Sequence, residues 1–221
     1  GLVFAVDAAN PSSYPGSGTA WNDLTLNKNN GTLINGPAFD SANAGSIEFD
    51  GIDDYVDCGD VTQIGSSLTG LTVSVWYKVG ANELSIIAEN GTGYTTNTFY
   101  LAQENASNLS FAIANSSGQY QRIYGTSSYT IGNWYNFVGV WSSGSSLIAY
   151  VNGYNTSQSL LSPYGNLSSV RNGNTNLFIA SRPGGSLYTN GNISQAIIYN
   201  RALTSSEVLQ NYNALKGRFG L

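Results

Sequence analysis

Histidine and methionine are absent from the 221 residues, and cysteine occurs once, at Cys58. Without histidine the commonest general base and the commonest transition-metal ligand are missing, and no Ser-His-Asp triad can be built. A lone cysteine excludes an intrachain disulfide and a thiolate metal cluster. In the alternating run Tyr55-Val-Asp-Cys58 it reads as a small core filler. The missing initiator methionine is what a chain cut from a longer polypeptide would show, so residues 1–221 are expected to be one domain, the C-terminal module of a longer or processed protein. Charge is scarce as well. Asp, Glu, Lys and Arg make up 10% of the chain, against roughly 25% in ordinary globular proteins. Eight basic residues are scattered singly through a chain of net charge -5. No basic stripe exists to displace counterions from phosphates, which argues against a nucleic-acid partner. No apolar run reaches the ~18 residues of a membrane span, and the start, Gly1-Leu-Val-Phe-Ala-Val-Asp7, shows no signal-peptide organisation. Nucleophile elbows, phosphate loops and zinc spacings are also missing.

What remains is a chain that is 41% hydrophobic, rich in Gly, and carrying fifteen Tyr. Most of it alternates apolar with polar residues, the period of a half-buried strand. The strands expected are Leu2–Asp7, Ser46–Asp50, Tyr55–Cys58, Thr72–Val79, Leu84–Glu89, Phe99–Glu104, Leu109–Ala114, Arg122–Tyr124, Trp134–Trp141, Leu147–Val151, Leu177–Ser181 and Ile193–Tyr199. Asn-Gly pairs at 30–31, 35–36, 90–91, 152–153, 172–173 and 190–191 supply residues that accept positive φ in tight turns. One helix is expected over Ser205–Lys216. Thr204-Ser-Ser-Glu207 is a capping box, Val208, Leu209, Tyr212 and Leu215 share a face, and Gly217 is a natural stop. Asn10–Gly18, with Pro11 and Pro15, reads as a long loop.

Five segments, in order, carry a family resemblance. Trp21-Asn-Asp-Leu-Thr-Leu-Asn-Lys-Asn-Asn-Gly-Thr-Leu33 is followed by the hairpin Ser46-Ile-Glu-Phe-Asp-Gly-Ile-Asp-Asp-Tyr-Val56. Leu71-Thr-Val-Ser-Val-Trp-Tyr77 comes next, then Trp134-Tyr-Asn-Phe-Val-Gly-Val140 with Ile148-Ala-Tyr-Val-Asn-Gly153. The last is Gly191-Asn-Ile-Ser-Gln-Ala-Ile-Ile-Tyr-Asn-Arg-Ala-Leu-Thr204. Together they resemble the laminin G-like jelly-roll domains of the concanavalin A-like lectin/glucanase superfamily. The resemblance implies an all-β fold: two antiparallel sheets face to face, with one short C-terminal helix. Asn10-Pro-Ser-Ser-Tyr-Pro-Gly-Ser-Gly18 and the ending Lys216-Gly-Arg-Phe-Gly-Leu221 further resemble modules appended to bacteriophage virion proteins.

Glycosidases of this superfamily set two or three carboxylates two apart on one strand, because acid and nucleophile must face one sugar bond across about 5 Å. Glu48 and Asp50 share a strand face, but positions 46 and 52 are Ser46 and Ile52, so the triple is incomplete and no enzyme is expected. Asn, Asp and Tyr amid few charges are instead the palette for gripping sugar hydroxyls and stacking on sugar faces. Tyr94, Tyr120, Tyr154, Tyr164 and Tyr188 lie in Gly/Asn/Ser-rich stretches and are the candidate ligand-binding residues. The expected partners are glycans of a host cell surface and other virion proteins, at an extracellular or virion surface. The resemblance also implies a structural Ca²⁺, for which Asp23, Asn27, Asn29 and Asp53 are the candidate ligands. Asp50, Asp53 and Asp54 border a tight turn, where Asp usually bonds its own backbone, with a metal role as the alternative. Trp76, Trp134 and Trp141 are expected in the core. Trp21 either packs under its loop or faces a ligand. Asn-x-Ser/Thr sequons recur, but Asn192 falls at a strand start that should be packed.

Overall fold

The computed structural model describes residues 1–65, 67–91, 98–105, 108–126, 128–161, 164–171, 175–182 and 186–221. In chain order the strands are β1 (Leu2–Asp7), β2 (Ala20–Trp21), β3 (Gly31–Ile34), β4 (Ala38–Asp40), β5 (Ser46–Asp50), β6 (Tyr55–Asp60), β7 (Gly70–Val79), β8 (Ser85–Asn90) and β9 (Phe99–Asn105). They continue as β10 (Asn108–Ala114), β11 (Tyr120–Thr126), β12 (Trp134–Ser142), β13 (Ile148–Val151), β14 (Tyr154–Asn155), β15 (Ser157–Leu161), β16 (Asn176–Ile179) and β17 (Asn190–Tyr199). Helix α1 (Ser205–Leu215) and a 3₁₀ turn, Lys216–Phe219, end the chain. Every strand expected from alternation is present, extended by a residue or two in most cases. The two-residue strands β2 and β14 and the short β3, β4 and β15 escape a periodicity reading because they are too brief to show one.

The strands form two antiparallel sheets. One has the order β14-β13-β12-β7-β17-β5-β4, with β1 also paired to β17; the other has the order β15-β11-β10-β9-β8-β16-β6-β3-β2. Alternation sends one set of side chains from each sheet into a shared core: Val73, Val75, Tyr77, Phe137 and Trp141 from one side, Phe99, Leu101, Phe111, Ile113, Leu177 and Val56 from the other. The sheets approach closely at Gly139, where an added Cβ would lie 2.2 Å from the Phe111 ring. Trp21 and Cys58 belong to this core, and burial pushes the Cys58 thiol up, away from reactivity. Asn192 is buried, as its place in β17 requires.

Part of the other face of the eight-stranded sheet is covered too. Trp76 and Trp134 point away from the inter-sheet core and pack beneath α1 and the tail with Tyr212 and Phe219. Phe219 stacks 4.2 Å from Trp76, and Tyr212 lies 5.7 Å from it. Of the three tryptophans expected in the core, only Trp141 is between the sheets. The capping box is formed: Thr204 accepts from the Glu207 amide and Glu207 accepts from the Thr204 amide at 2.8 Å. The helix does not stop at Gly217. It tightens into the 3₁₀ turn, and Gly220 takes the left-handed conformation at φ 73°. Arg218 then clamps the tail, donating to Asp7, to the Asn43 and Gly45 carbonyls and to the Ser194 hydroxyl.

Candidate functional site

α1 and the tail cover Trp76 and Trp134 on the eight-stranded sheet. On the outer face of the nine-stranded sheet the middle is buried at Ile86, Glu89, Tyr100, Ala102 and Ala112, so the partly exposed side chains of that face stand toward its two ends. Register decides which ones. On β6, β16 and β8, Val56, Ile179 and Ala88 face the core, so their neighbours Asp57, Phe178 and Glu89 align across the strands on the opposite face. Thr32 on β3 continues that row beside Asp57. Tyr55, two residues from Asp57, joins it, with its ring 6.0 Å from Phe178 and 6.4 Å from Tyr188. All three rings are half-buried. A shallow depression of about 420 Å³ lies on this face, lined in part by Thr32, Ile34, Asp57 and Asn176. Asn176 donates to both Asp57 oxygens, at 2.9 and 3.1 Å, and the Gly59 amide donates to one of them at 2.9 Å. The carboxylate is therefore fixed in orientation.

At the far end of the same face, β11 places Tyr120, Arg122 and Tyr124 in a row, all half-buried. Tyr164 meets Tyr120 edge-on at 6.1 Å. The Arg122 guanidinium lies 4.7 Å over the Tyr124 ring, donates to the Tyr100 hydroxyl at 3.4 Å, and sits 3.7 Å from Glu104. Ser110 donates to Glu104 at 2.5 Å. Between the two ends, Leu187 caps a small apolar cluster of Ile86, Tyr100, Ala102 and Ala112. Arg182 there pairs with the fully buried Glu89 at 2.9 Å.

The candidate tyrosines are thus divided. Tyr120 and Tyr164 come together, and Tyr188 joins Tyr55 and Phe178 at the other end. Tyr154 lies on β14 of the opposite sheet, 65% exposed. Tyr94 lies outside the described residues. Tyr55, Asp57, Asn176, Phe178, Arg122 and Tyr124 were not singled out from sequence, although the alternations Tyr55-x-Asp57 and Tyr120-x-Arg122-x-Tyr124 carry the signal.

The four candidate calcium ligands are not assembled. Asp23 is buried, and its oxygens accept from the Ala5 and Thr25 amides and from the Thr25 hydroxyl and Asn29 amide, at 2.7–3.0 Å. Asn27 and Asn29 turn their amide NH₂ groups toward the Val3 carbonyl. Asp53 lies beyond the other end of β3, where Asn35 donates to its carbonyl, on the order of 13 Å away at the rise of a strand. A hard cation needs oxygens, and Asp23 is ringed by N–H and O–H donors, so this set does not fit one. The carboxylates of Asp50, Asp53 and Asp54 gather within 4.8 Å. Asp50 caps the turn through the Ile52 amide, which holds its pKa low, and burial raises that of Asp54, which accepts from the Asp50 amide. Glu48 and Asp50 are exposed on β5, in the other sheet.

A family model described as the concanavalin A-like lectin/glucanases superfamily matches residues 50–209. The chain belongs to that superfamily. No curated protein matches it in sequence. Among solved structures, it resembles the binding domain of Paraclostridial Mosquitocidal Protein 1, with a TM-score of 0.73, 16% identity, and coverage of 96% of this chain and 52% of the other. It also resembles the botulinum neurotoxin serotype G binding domain, with a TM-score of 0.72, 11% identity, and coverage of 97% and 51%. A third is Trypanosoma rangeli sialidase in complex with sialic acid, with a TM-score of 0.66, 13% identity, and coverage of 99% and 33%. The chain spans about half of the first two and a third of the last, and identities this low establish the fold. The superfamily model begins at Asp50, so it takes in both aromatic ends of the nine-stranded sheet and leaves out β1 to β4. Among the described residues no helix is long and apolar enough to cross a membrane.

Proposed function

We propose that this superfamily member is a non-catalytic glycan-binding or adhesion module whose contact surface is the solvent side of the nine-stranded sheet. The observation that carries the reading is the row of half-buried rings Tyr55, Phe178 and Tyr188 beside the oriented Asp57–Asn176 pair. Rings offer flat apolar area to the C–H faces of a sugar, and a fixed carboxylate accepts from its hydroxyls. The β11 tyrosines repeat the same chemistry at the other end of the face. That two of the similar structures are binding domains supports a binding role over a catalytic one. Further support comes from Glu89 and Glu104. Both project from this face, but Glu89 aligns with Tyr100, four residues along β9 from Glu104, so they stand roughly 13 Å apart, beyond the spacing that hydrolysis of one sugar bond needs.

The setting we infer is the surface of a larger particle, a virion decoration, fibre or tail module facing host glycans, as the resemblance of Asn10–Gly18 and the C-terminal tail suggests. A single shallow site in the millimolar range is worth about -4 kcal/mol, and multivalent display raises avidity about 10²–10⁴-fold where geometry permits. The test is a multivalent probe of this domain on a glycan array, with Tyr55→Ala, Phe178→Ala and Tyr188→Ala. Loss of binding on each substitution supports the reading. A blank array for the unsubstituted domain overturns it in favour of a purely structural assembly role, and release of reducing ends from an oligosaccharide overturns the non-catalytic part.

A further inference from the structure

The β11 end of the proposed face contains a cation where a sugar reader would ordinarily use one to capture acids. Arginine presents a rigid fork of donors that matches a carboxylate or sulfate, and stacking on an aromatic ring pre-organises it. Arg122 has that setting: its guanidinium lies over Tyr124, it shares the β11 face with Tyr120, and its side chain keeps 20% of its exposure. Yet Glu104 stands 3.7 Å from it, itself 15% exposed and held in place by the Ser110 hydroxyl. The same compensation recurs at Arg182, which is matched by Glu89. In a chain with only eight basic residues and a net charge of -5, neither guanidinium is left as a net positive site.

We propose that Glu104 is a specificity-determining residue: by balancing Arg122 it makes this face select uncharged sugars and turn away sugars that carry a carboxylate or sulfate. The inference rests on the glycan-binding reading above. An acidic sugar approaching Arg122 meets the Glu104 carboxylate at close range in a partly desolvated setting, where like charges repel more strongly than in water. A neutral sugar meets tyrosine rings and a charge-balanced pair, and brings no charge for Glu104 to repel. Specificity is achieved here by a repulsive element built beside the attractive one.

The experiment uses an array of neutral oligosaccharides with their sialylated and sulfated counterparts, and reads the ratio of acidic to neutral binding. Glu104→Gln keeps the size and the acceptor for Ser110 while removing the charge. The unsubstituted domain should favour the neutral members. Glu104→Gln should raise the acidic-to-neutral ratio on the order of tenfold, corresponding to about 1.4 kcal/mol, with the gain fading as salt is added. Adding Arg122→Gln to Glu104→Gln should remove the gain. The proposal is overturned if the unsubstituted domain already takes acidic glycans as well as neutral ones, if Glu104→Gln leaves the ratio unmoved, or if the double variant keeps the gain. An array blank for every form removes both this inference and the glycan reading. Neutral binding with an unmoved ratio removes this inference alone.

Discussion

The two sheets carry similar residues on their outward faces and use them in opposite ways. On the eight-stranded sheet, Trp76 and Trp134 are sealed under Tyr212 and Phe219 by α1 and the tail. On the nine-stranded sheet, Tyr55, Phe178, Tyr188, Tyr120 and Tyr124 remain half-exposed. An aromatic ring on the outward side of a strand is therefore neither a core residue nor a binding residue by itself. What distinguishes the cases is whether a later segment of chain lies over it. Burial of stacked rings stabilises the fold, whereas half-buried rings retain apolar area that a ligand can still remove from water.

The comparison breaks most sharply at Trp76. Trp76→Ala should cost about 3–5 kcal/mol, lowering the melting temperature by roughly 10–15 °C in a chain of this size. Phe178→Ala on the open face should cost about 1 kcal/mol, in keeping with a residue only partly buried. Thermal unfolding of the two variants side by side checks this, and an equal loss would mean that the rings of the nine-stranded sheet are structural. Arg218→Ala comes next. It removes charge-assisted bonds that hold the tail to Asp7, Asn43, Gly45 and Ser194, and should cost about 2–3 kcal/mol. Enhanced amide exchange confined to α1 and the tail would show that the cover loosens as a unit.

A smaller effect is expected from acid. Arg201 and the Thr204 amide and hydroxyl hold the Glu207 carboxylate at a pKa of about 2, below its usual 4.5. The folded state binds this proton less tightly than the unfolded one, so the contribution is complete above pH 4.5 and is lost as pH falls through about 2. Glu207→Gln should flatten that part of the stability profile, measured by denaturant unfolding between those limits. The smallest effect is expected from calcium. With Asp23 satisfied by protein donors, EDTA should leave the melting temperature unchanged, and a drop would show an ion bound to the folded state.

Much of this was legible before folding. Alternation located every long strand, and Thr204-Ser-Ser-Glu207 located the helix start, because both are local consequences of backbone geometry. The Asn152-Gly153 turn was legible for the same reason: both residues take positive φ, at 52° and 80°, joining β13 to β14. Sites fared worse than elements. Tyr120, Tyr164 and Tyr188 were placed on the open face, but Tyr154 was not, since its loop-like composition says nothing about which sheet edge it joins. Asp23 with Asn27 and Asn29 could be read from sequence as metal ligands or, more readily, as turn caps, and only the positions of the Ala5 amide and Val3 carbonyl separate the two.

The sequence by itself determined that this protein is a strand-rich sandwich without histidine chemistry, disulfides or a nucleic-acid-binding charge pattern, because composition and period-2 alternation act locally and survive any topology. Tertiary structure alone decided which outward rings stay partly exposed. That choice depends on α1 crossing β7 and β12 and on Arg218 bonding Asp7 and Ser194, contacts between residues far apart in the chain. The pairing of Glu104 with Arg122 was decided the same way. They lie on strands separated by β10, and only the register of three strands brings one carboxylate within reach of one guanidinium.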